Sequence, residues 1–148
     1  MESTSRPAWV EKWSKERTDF ERLSQQLEYM LSSPDETTGT ALLPVLEEVL
    51  ARCRNQRALE ENVDAFKSLA GERPDLSGRI SQLSTERGAL QSELIELLGR
   101  AQHEARPGNL SASIVSRVQH WLVRMREHLQ RVTEVLKAQY PATPTQAQ

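Results

Sequence analysis

Four stripes of apolar residues, each repeating at alternating intervals of three and four, restrict the fold of this sequence more than any other feature. In chain order the stripes comprise Trp9, Trp13, Glu16, Phe20, Leu23, Leu27 and Met30; Leu42, Leu46, Val49, Cys53, Gln56, Glu60 and Val63; Leu76, Ile80, Leu83, Arg87, Leu90, Leu94 and Leu97; and Ile114, Val118, Trp121, Met125, His128, Val132 and Val135. This spacing places side chains on one face of an α-helix, whereas strands need strict alternation. The sequence therefore predicts an all-α fold.

Proline and glycine clusters separate the stripes and predict helices over 6–32, 41–70, 76–104 and 110–139. Asn109 or Ser111 is expected to cap the last helix, and Pro44 marks either the start of the second helix or a kink within it. Because the connections are short, neighbouring helices should be antiparallel, which gives an up-down-up-down four-helix bundle. We expect one domain over residues 1–140 and a disordered tail over 141–148, which has no apolar face.

Composition limits the classes of partner. Charged residues make up 27% of the chain and the net charge is -2, so no basic surface for nucleic acid is expected. The apolar runs are only a few residues long, and the polar residues 1–6 lack a signal-peptide core, so we expect no membrane span and a cytoplasmic location. The single cysteine, Cys53, lies on a stripe and is expected to be a buried structural thiol.

Polar residues interrupt the stripes at one level. They are Glu16, Gln56, Glu60, Arg87 and His128. Counted from the predicted turns, their positions agree to within about one helical turn at a rise of ~1.5 Å per residue. Buried charges must pair, so we expect Arg87 to bind Glu60, with Glu16 as a further partner, and Gln56 and His128 to complete the hydrogen bonds.

A metal site is the alternative interpretation of this layer, because helical bundles hold metals between carboxylates and histidines on facing helices. A di-iron carboxylate site needs Glu-x-x-His pairs, which these stripes lack. His103 and His120 lie off the stripes, and Arg87 is a fixed positive charge that repels a metal cation. A metal-free layer is therefore preferred. The alternative site would be built from Glu16, Glu60, Glu86 and His128.

Several short stretches resemble the hemerythrin-like, or HHE cation-binding, family. Residues 56–63 (QRALEENV) resemble the family motif in which a His is followed four residues later by Glu-Glu. Residues 80–90 (ISQLSTERGAL) resemble the stretch in which Glu-His precedes leucines, and residues 128–136 (HLQRVTEVL) resemble the second His-x-x-x-Glu element. Residues 19–23 (DFERL) resemble the early Asp/Glu-His-x-x-Leu motif. The resemblance spans about residues 15–138 and implies the hemerythrin-like bundle.

The resemblance also implies which ligands of the family's di-iron centre this chain retains. Phe20, Gln56 and Arg87 stand where the family has His. Val132 stands where it has Glu. Only Glu60 and His128 match, and two ligands cannot hold two irons, since each metal needs several donors. The resemblance thus implies a bundle without a cofactor, in which Arg87 supplies the positive charge of the missing metal.

The preferred hypothesis for function is a regulatory or protein-interaction domain with an unidentified protein partner. The alternative is an iron-binding protein that responds to oxygen or iron, with Glu60 and His128 among its ligands. No nucleophile–base constellation or glycine-rich phosphate loop is present in the sequence, so we do not expect an enzyme. Trp9 and Trp13 either cap the core or contribute to a partner site.

Overall fold

The computed structural model describes residues 6–32, 38–61, 65–104 and 111–141. Within these residues the chain forms helices joined by short segments, and it contains no strand. The helices are α1 (Ala8–Ser32), α2 (Thr38–Glu61), α3 (Ala65–Glu72), α4 (Ser77–Glu104) and α5 (Ala112–Gln139), with a 3₁₀ turn at Pro74–Leu76. The predicted all-α fold is confirmed for this part of the chain. No helix in it has both the length and the hydropathy needed to cross a membrane.

The second predicted helix differs most from the structure, whereas the other three begin only one or two residues later than predicted. The second helix begins at Thr38 rather than at residue 41, so Pro44 lies inside α2 and not at its start. The stretch predicted as one helix over 41–70 contains α2 and α3, and residues 62–64 between them lie outside the described residues. The predicted tail also lies outside them, apart from Pro141.

The start of α5 follows the predicted capping rule. Ser111 has extended backbone angles, and its hydroxyl accepts a hydrogen bond from the Ile114 N–H at 3.2 Å. This bond satisfies one of the backbone donors that a helix leaves unpaired in its first turn. The alternative cap, Asn109, lies outside the described residues.

The long helices pack in pairs that run in opposite directions. Helix α1 packs against α2 and α5, and α4 packs against the same two helices. In each of three pairs, earlier residues of one helix meet later residues of the other, as antiparallel packing requires. The contacts are Trp13–Glu60 and Glu16–Arg52 for α1 and α2, Arg17–Thr133 and Glu28–Arg126 for α1 and α5, and Glu86–Arg131 and Glu96–Arg117 for α4 and α5.

The core is mainly aliphatic, with a few aromatic residues packed within it. Phe20 and Trp121 pack edge to face with their ring centroids 6.2 Å apart. The Trp121 indole N–H donates to the Leu90 carbonyl at 2.8 Å, so its one polar atom is satisfied. Trp9 packs against Phe66, and Trp13 is fully buried. Of the two alternatives for Trp9 and Trp13, the structure places both in or against the core.

Candidate functional site: a buried polar layer

A buried ion pair lies at the centre of the candidate site. Arg87 of α4 and Glu60 of α2 are 1% and 3% exposed, and the Arg87 Nη2 donates to the Glu60 Oε2 at 2.6 Å. The Arg87 Nη1 donates to the Gln56 Oε1 at 3.4 Å, so one guanidinium binds two side chains that lie one turn apart on α2. The hydrogen bond is charge-assisted and shielded from water, so each buried charge is compensated mainly by its partner.

Trp13 is a member of this layer that sequence reasoning did not place there. Its indole Nε1 donates to the same Glu60 Oε2 at 2.8 Å, and its backbone carbonyl accepts from the Gln56 Nε2 at 3.3 Å. Glu60 therefore binds donors from α1 and α4 at one oxygen. A signal was present: Trp13 and Glu60 are nearly equidistant from the first predicted turn, and a buried indole N–H needs an acceptor.

Glu16 is a correction to the predicted layer. Its carboxylate is 17% exposed and binds the Arg52 Nη1 at 3.0 Å and the Asn55 side chain at 3.3 Å. All three side chains belong to the boundary between α1 and α2. The prediction that Glu16 assists Arg87 is therefore wrong, because Trp13 lies one turn nearer to Glu60 and takes that place.

His128 of α5 is buried and bonds outward rather than to Arg87. Its Nδ1 lies 2.6 Å from the Glu86 Oε1, and Arg131 donates to both oxygens of Glu86 at 2.7 and 2.6 Å. With a proton on Nδ1, the ring donates to the carboxylate and directs the Nε2 lone pair inward. Neither this Nε2 nor the Arg87 Nε has a hydrogen-bond partner among the described residues. The layer is thus bonded through one oxygen of Glu60 and incompletely bonded at both Arg87 and His128.

The titration of this pair follows from its position. Burial lowers the pKa of His128 below 6.5, and the nearby Arg87 charge lowers it further, against the opposing effect of Glu86. Burial would raise the pKa of Glu86, but the hydrogen bonds from Arg131 and His128 outweigh it and lower that pKa. His128 is therefore neutral at pH 7 and Glu86 is ionised, which fits the Nδ1–H donor assigned above.

Burial also determines the chemistry of Cys53. The thiol is buried beside the ion pair, and burial raises its pKa to about 12. A thiol with this pKa stays protonated at neutral pH and is a poor nucleophile. This placement matches the buried thiol predicted from the stripe.

The two candidate metal ligands lie in different bonding environments. Glu60 is bound by Arg87 and Trp13, and His128 by Glu86. Among the described residues, no three His, Cys, Asp or Glu side chains form a group that could hold a metal ion. Outside the His128–Glu86 bond lies a surface cleft of about 280 Å³, whose lining includes Glu86, Leu90 and Arg131.

Comparison of the chain with protein-family models, curated proteins and solved structures found no match.

Proposed function

We propose that this chain is a metal-free, hemerythrin-like, up-down-up-down four-helix bundle that acts as a regulatory or protein-interaction domain rather than as an enzyme. In this proposal α2 and α3 together form the second helix. The observation that supports it is the Arg87–Glu60 pair, with its 2.6 Å bond, in the interior at the level where the resemblance implies metal ligands.

Arginine has the chemistry to replace a metal at this position. Guanidinium is planar, permanently charged and has five N–H donors, so it can bridge groups on neighbouring helices as a cation does. Here it binds Glu60 and Gln56 on α2, while Trp13 adds the contact from α1. A metal ion in the same space would be repelled by the fixed charge of Arg87. The proposal therefore gives the layer a structural role.

Two further positions support the loss of ligands. Phe20 and Val132, which the resemblance aligns with a His and a Glu, are both buried hydrophobic residues of the core. Phe20 contacts Trp121 edge to face, so its ring takes part in core packing. Apolar packing at these positions stabilises the bundle without any metal.

The surface supports the interaction part of the proposal. Tyr29 of α1 is 82% exposed and Val123 of α5 is 51% exposed, so both offer apolar surface to a partner. Tyr29 follows Glu28 directly and Val123 lies three residues before Arg126. The Glu28–Arg126 ion pair joins α1 to α5, so Tyr29 and Val123 belong to similar levels of the bundle. Exposed aromatic and aliphatic side chains are common anchors in protein interfaces.

Metal analysis of the purified chain tests the core of the proposal. We expect no stoichiometric iron by elemental analysis and no oxo-bridge absorption in the near ultraviolet, even after expression with added iron. The matched variant is Arg87→His, which removes the fixed charge and restores a ligand, and which should gain affinity for one ion at most. About two iron atoms per wild-type chain would overturn the proposal.

The interaction part is tested separately on the surface. A protein that co-purifies stoichiometrically with the wild-type chain should be lost with Tyr29→Ser or Val123→Ser, while the thermal unfolding temperature is unchanged. Ile95→Ser is the control, because Ile95 is another exposed apolar residue but lies on α4. Retention of the partner by both test variants would contradict the assigned surface.

A further inference from the structure

A small cavity between α1 and α5 has the properties of an anion site. Its volume is about 160 Å³, and its apolar wall is formed by Val10, Trp13 and Leu136, all of which are buried. The remaining lining is polar or cationic and contains no carboxylate among the described residues. Neither Arg87 nor Glu60 lines the cavity, so its positive charge does not come from the buried ion pair.

Arg17 is the central cation of this cavity. Its Nη1 donates to the Thr133 hydroxyl at 2.8 Å and its Nη2 donates to the Gln130 Oε1 at 3.3 Å. Both acceptors are neutral, and in the described part of the chain no carboxylate lies within 4.0 Å of Arg17. The guanidinium is thus held in position without being neutralised, as a preorganised anion site requires.

The contrast with Arg126 shows that this arrangement is particular to Arg17. Arg126 also bridges α1 and α5, but it binds the carboxylates of Glu21 and Glu28. Arg54 and Arg79 likewise have no carboxylate within 4.0 Å among the described residues, but both are exposed to water, whereas Arg17 is half-buried. A half-buried charge is less screened than an exposed one and attracts an anion more strongly.

Two more cations line the same cavity. Lys137 lies in the last turn of α5, and Arg6 lies just before α1. The Arg6 Nη1 binds the Glu11 carboxylate at 3.2 Å, so Glu11 compensates the charge of Arg6. Arg17 and Lys137 therefore provide the net positive charge facing the cavity.

The size and lining together define the ligand class. Ligand cavities for drug-sized molecules have volumes of about 300–1,000 Å³, so this one suits a smaller molecule. Guanidinium and ammonium groups bind carboxylates and phosphates. We propose that the cavity binds a small organic anion, whose carboxylate or phosphate contacts Arg17 and Lys137 and whose short apolar part packs against Trp13.

Trp13 gives this site a physical connection to the core. Trp13 lines the cavity, and its Nε1 donates to the Glu60 Oε2 at 2.8 Å. An anion seated against the ring changes the environment of the indole N–H and of the Glu60 bond. Binding of an anion in the cavity should therefore shift the NMR signal of the Trp13 Nε1–H in the core.

Titration of the full chain with defined probes tests the proposal. Butyrate, propyl phosphate and inorganic phosphate are added at constant ionic strength, and the shifts of the Trp13 indole and the Thr133 amide are followed by ¹H–¹⁵N NMR. We expect saturable shifts with butyrate or propyl phosphate, and the tighter of the two identifies the anionic group. Inorganic phosphate should bind more weakly because it lacks the apolar part. Equal binding of all three, or shifts that do not saturate below about 10 mM, would overturn the proposal.

Variants separate the site from general charge attraction. Arg17→Gln should weaken binding about tenfold or more, since it removes a charge-assisted hydrogen bond to the anion. Lys137→Gln, an exposed position that should not affect folding, should also weaken it. The control is Arg54→Gln, which removes the same charge outside the cavity and should leave affinity unchanged. Equal losses in Arg17→Gln and Arg54→Gln would overturn the proposal, and none of these outcomes depends on whether iron is found in the core.

Discussion

The buried Arg87–Glu60 pair and the ion pairs along the α4–α5 boundary use the same chemistry in different surroundings. Arg87 and Glu60 are almost completely shielded from water, whereas Arg124 and Glu93 are 48% and 26% exposed. The Arg117–Glu96 pair likewise lies on the surface. Water screens the outer pairs and solvates each partner when the other is removed. In the core, the neighbouring side chains alone compensate the charge, so the loss of one partner should be far more destabilising.

The largest expected effect is that of Arg87→Leu. This change leaves the Glu60 carboxylate buried without its cation, and we expect the free energy of unfolding to fall by about 3–5 kcal/mol. Chemical denaturation followed by circular dichroism measures this loss. The double variant Arg87→Leu with Glu60→Leu, or with Glu60→Gln, should recover much of it, because no unpaired charge remains. If Arg87→Leu left the free energy of unfolding nearly unchanged, the Glu60 carboxylate would have to reach water.

Trp13→Phe should have the next largest effect. The substitution keeps an aromatic ring but removes the N–H that donates to the Glu60 Oε2. A hydrogen bond to a charged group contributes about 1.5–3 kcal/mol, and Arg87 still compensates the carboxylate, so the loss should be smaller than for Arg87→Leu. Trp9→Phe is the matched control, because the described residues provide no acceptor for the Trp9 indole. Equal losses in the two variants would assign the effect to ring volume instead.

His128, which bonds Glu86 between α4 and α5, should make the free energy of unfolding depend on pH. Its pKa is below 6.5 in the folded chain, so the unfolded chain takes up a proton first as the pH falls. The free energy of unfolding should therefore decrease as the pH falls from about 6.5 to the pKa of His128 in the folded chain, by at most about 1.4 kcal/mol per pH unit. Protonation of Glu86 lowers stability as well, but only below about pH 4.5.

Denaturation at a series of pH values, with variants of two histidines, isolates this effect. His128→Gln should flatten the slope between about pH 6.5 and 5, whereas His120→Gln, at an exposed position on the same helix, should leave it unchanged. Because the slope is compared rather than the absolute stability, a general destabilisation by His128→Gln does not obscure the result. If the dependence of stability on pH were unchanged in His128→Gln, groups other than His128 would be responsible for it.

The sequence pattern predicted which polar residues are buried better than it predicted their hydrogen-bond partners. Gln56, Glu60, Arg87 and His128 are all buried, as their positions within apolar stripes predict. Glu16 holds an equivalent position in its stripe, but its side chain is 17% exposed and binds Arg52 at the boundary between α1 and α2. Stripe position alone does not distinguish these two cases.

Bond partners depend on atoms that hydropathy patterns do not represent. Trp13 counts as apolar in a stripe, yet its indole N–H donates to the same Glu60 oxygen that Arg87 binds. Glu86 precedes Arg87 and faces about 100° away from it on an ideal helix, but its long side chain reaches His128 on α5. Such contacts follow from side-chain reach and donor geometry, which require the packed structure.

Arg124→Leu should have the smallest effect and gives the direct test of the comparison, since it is the same substitution as Arg87→Leu at an exposed pair. Both partners can be solvated after the change, so we expect a loss of about 0–1 kcal/mol. Raising the ionic strength to about 1 M shortens the screening length to about 3 Å, so it should remove most of the stability loss caused by Arg124→Leu. The loss caused by Arg87→Leu should persist, because that pair is buried. If Arg124→Leu destabilised the chain as much as Arg87→Leu, exclusion of water could not explain the difference between the two regions. The α4–α5 ion pairs would then have to act as a coupled network, which the double variant Arg124→Leu with Arg117→Leu would reveal through non-additive losses.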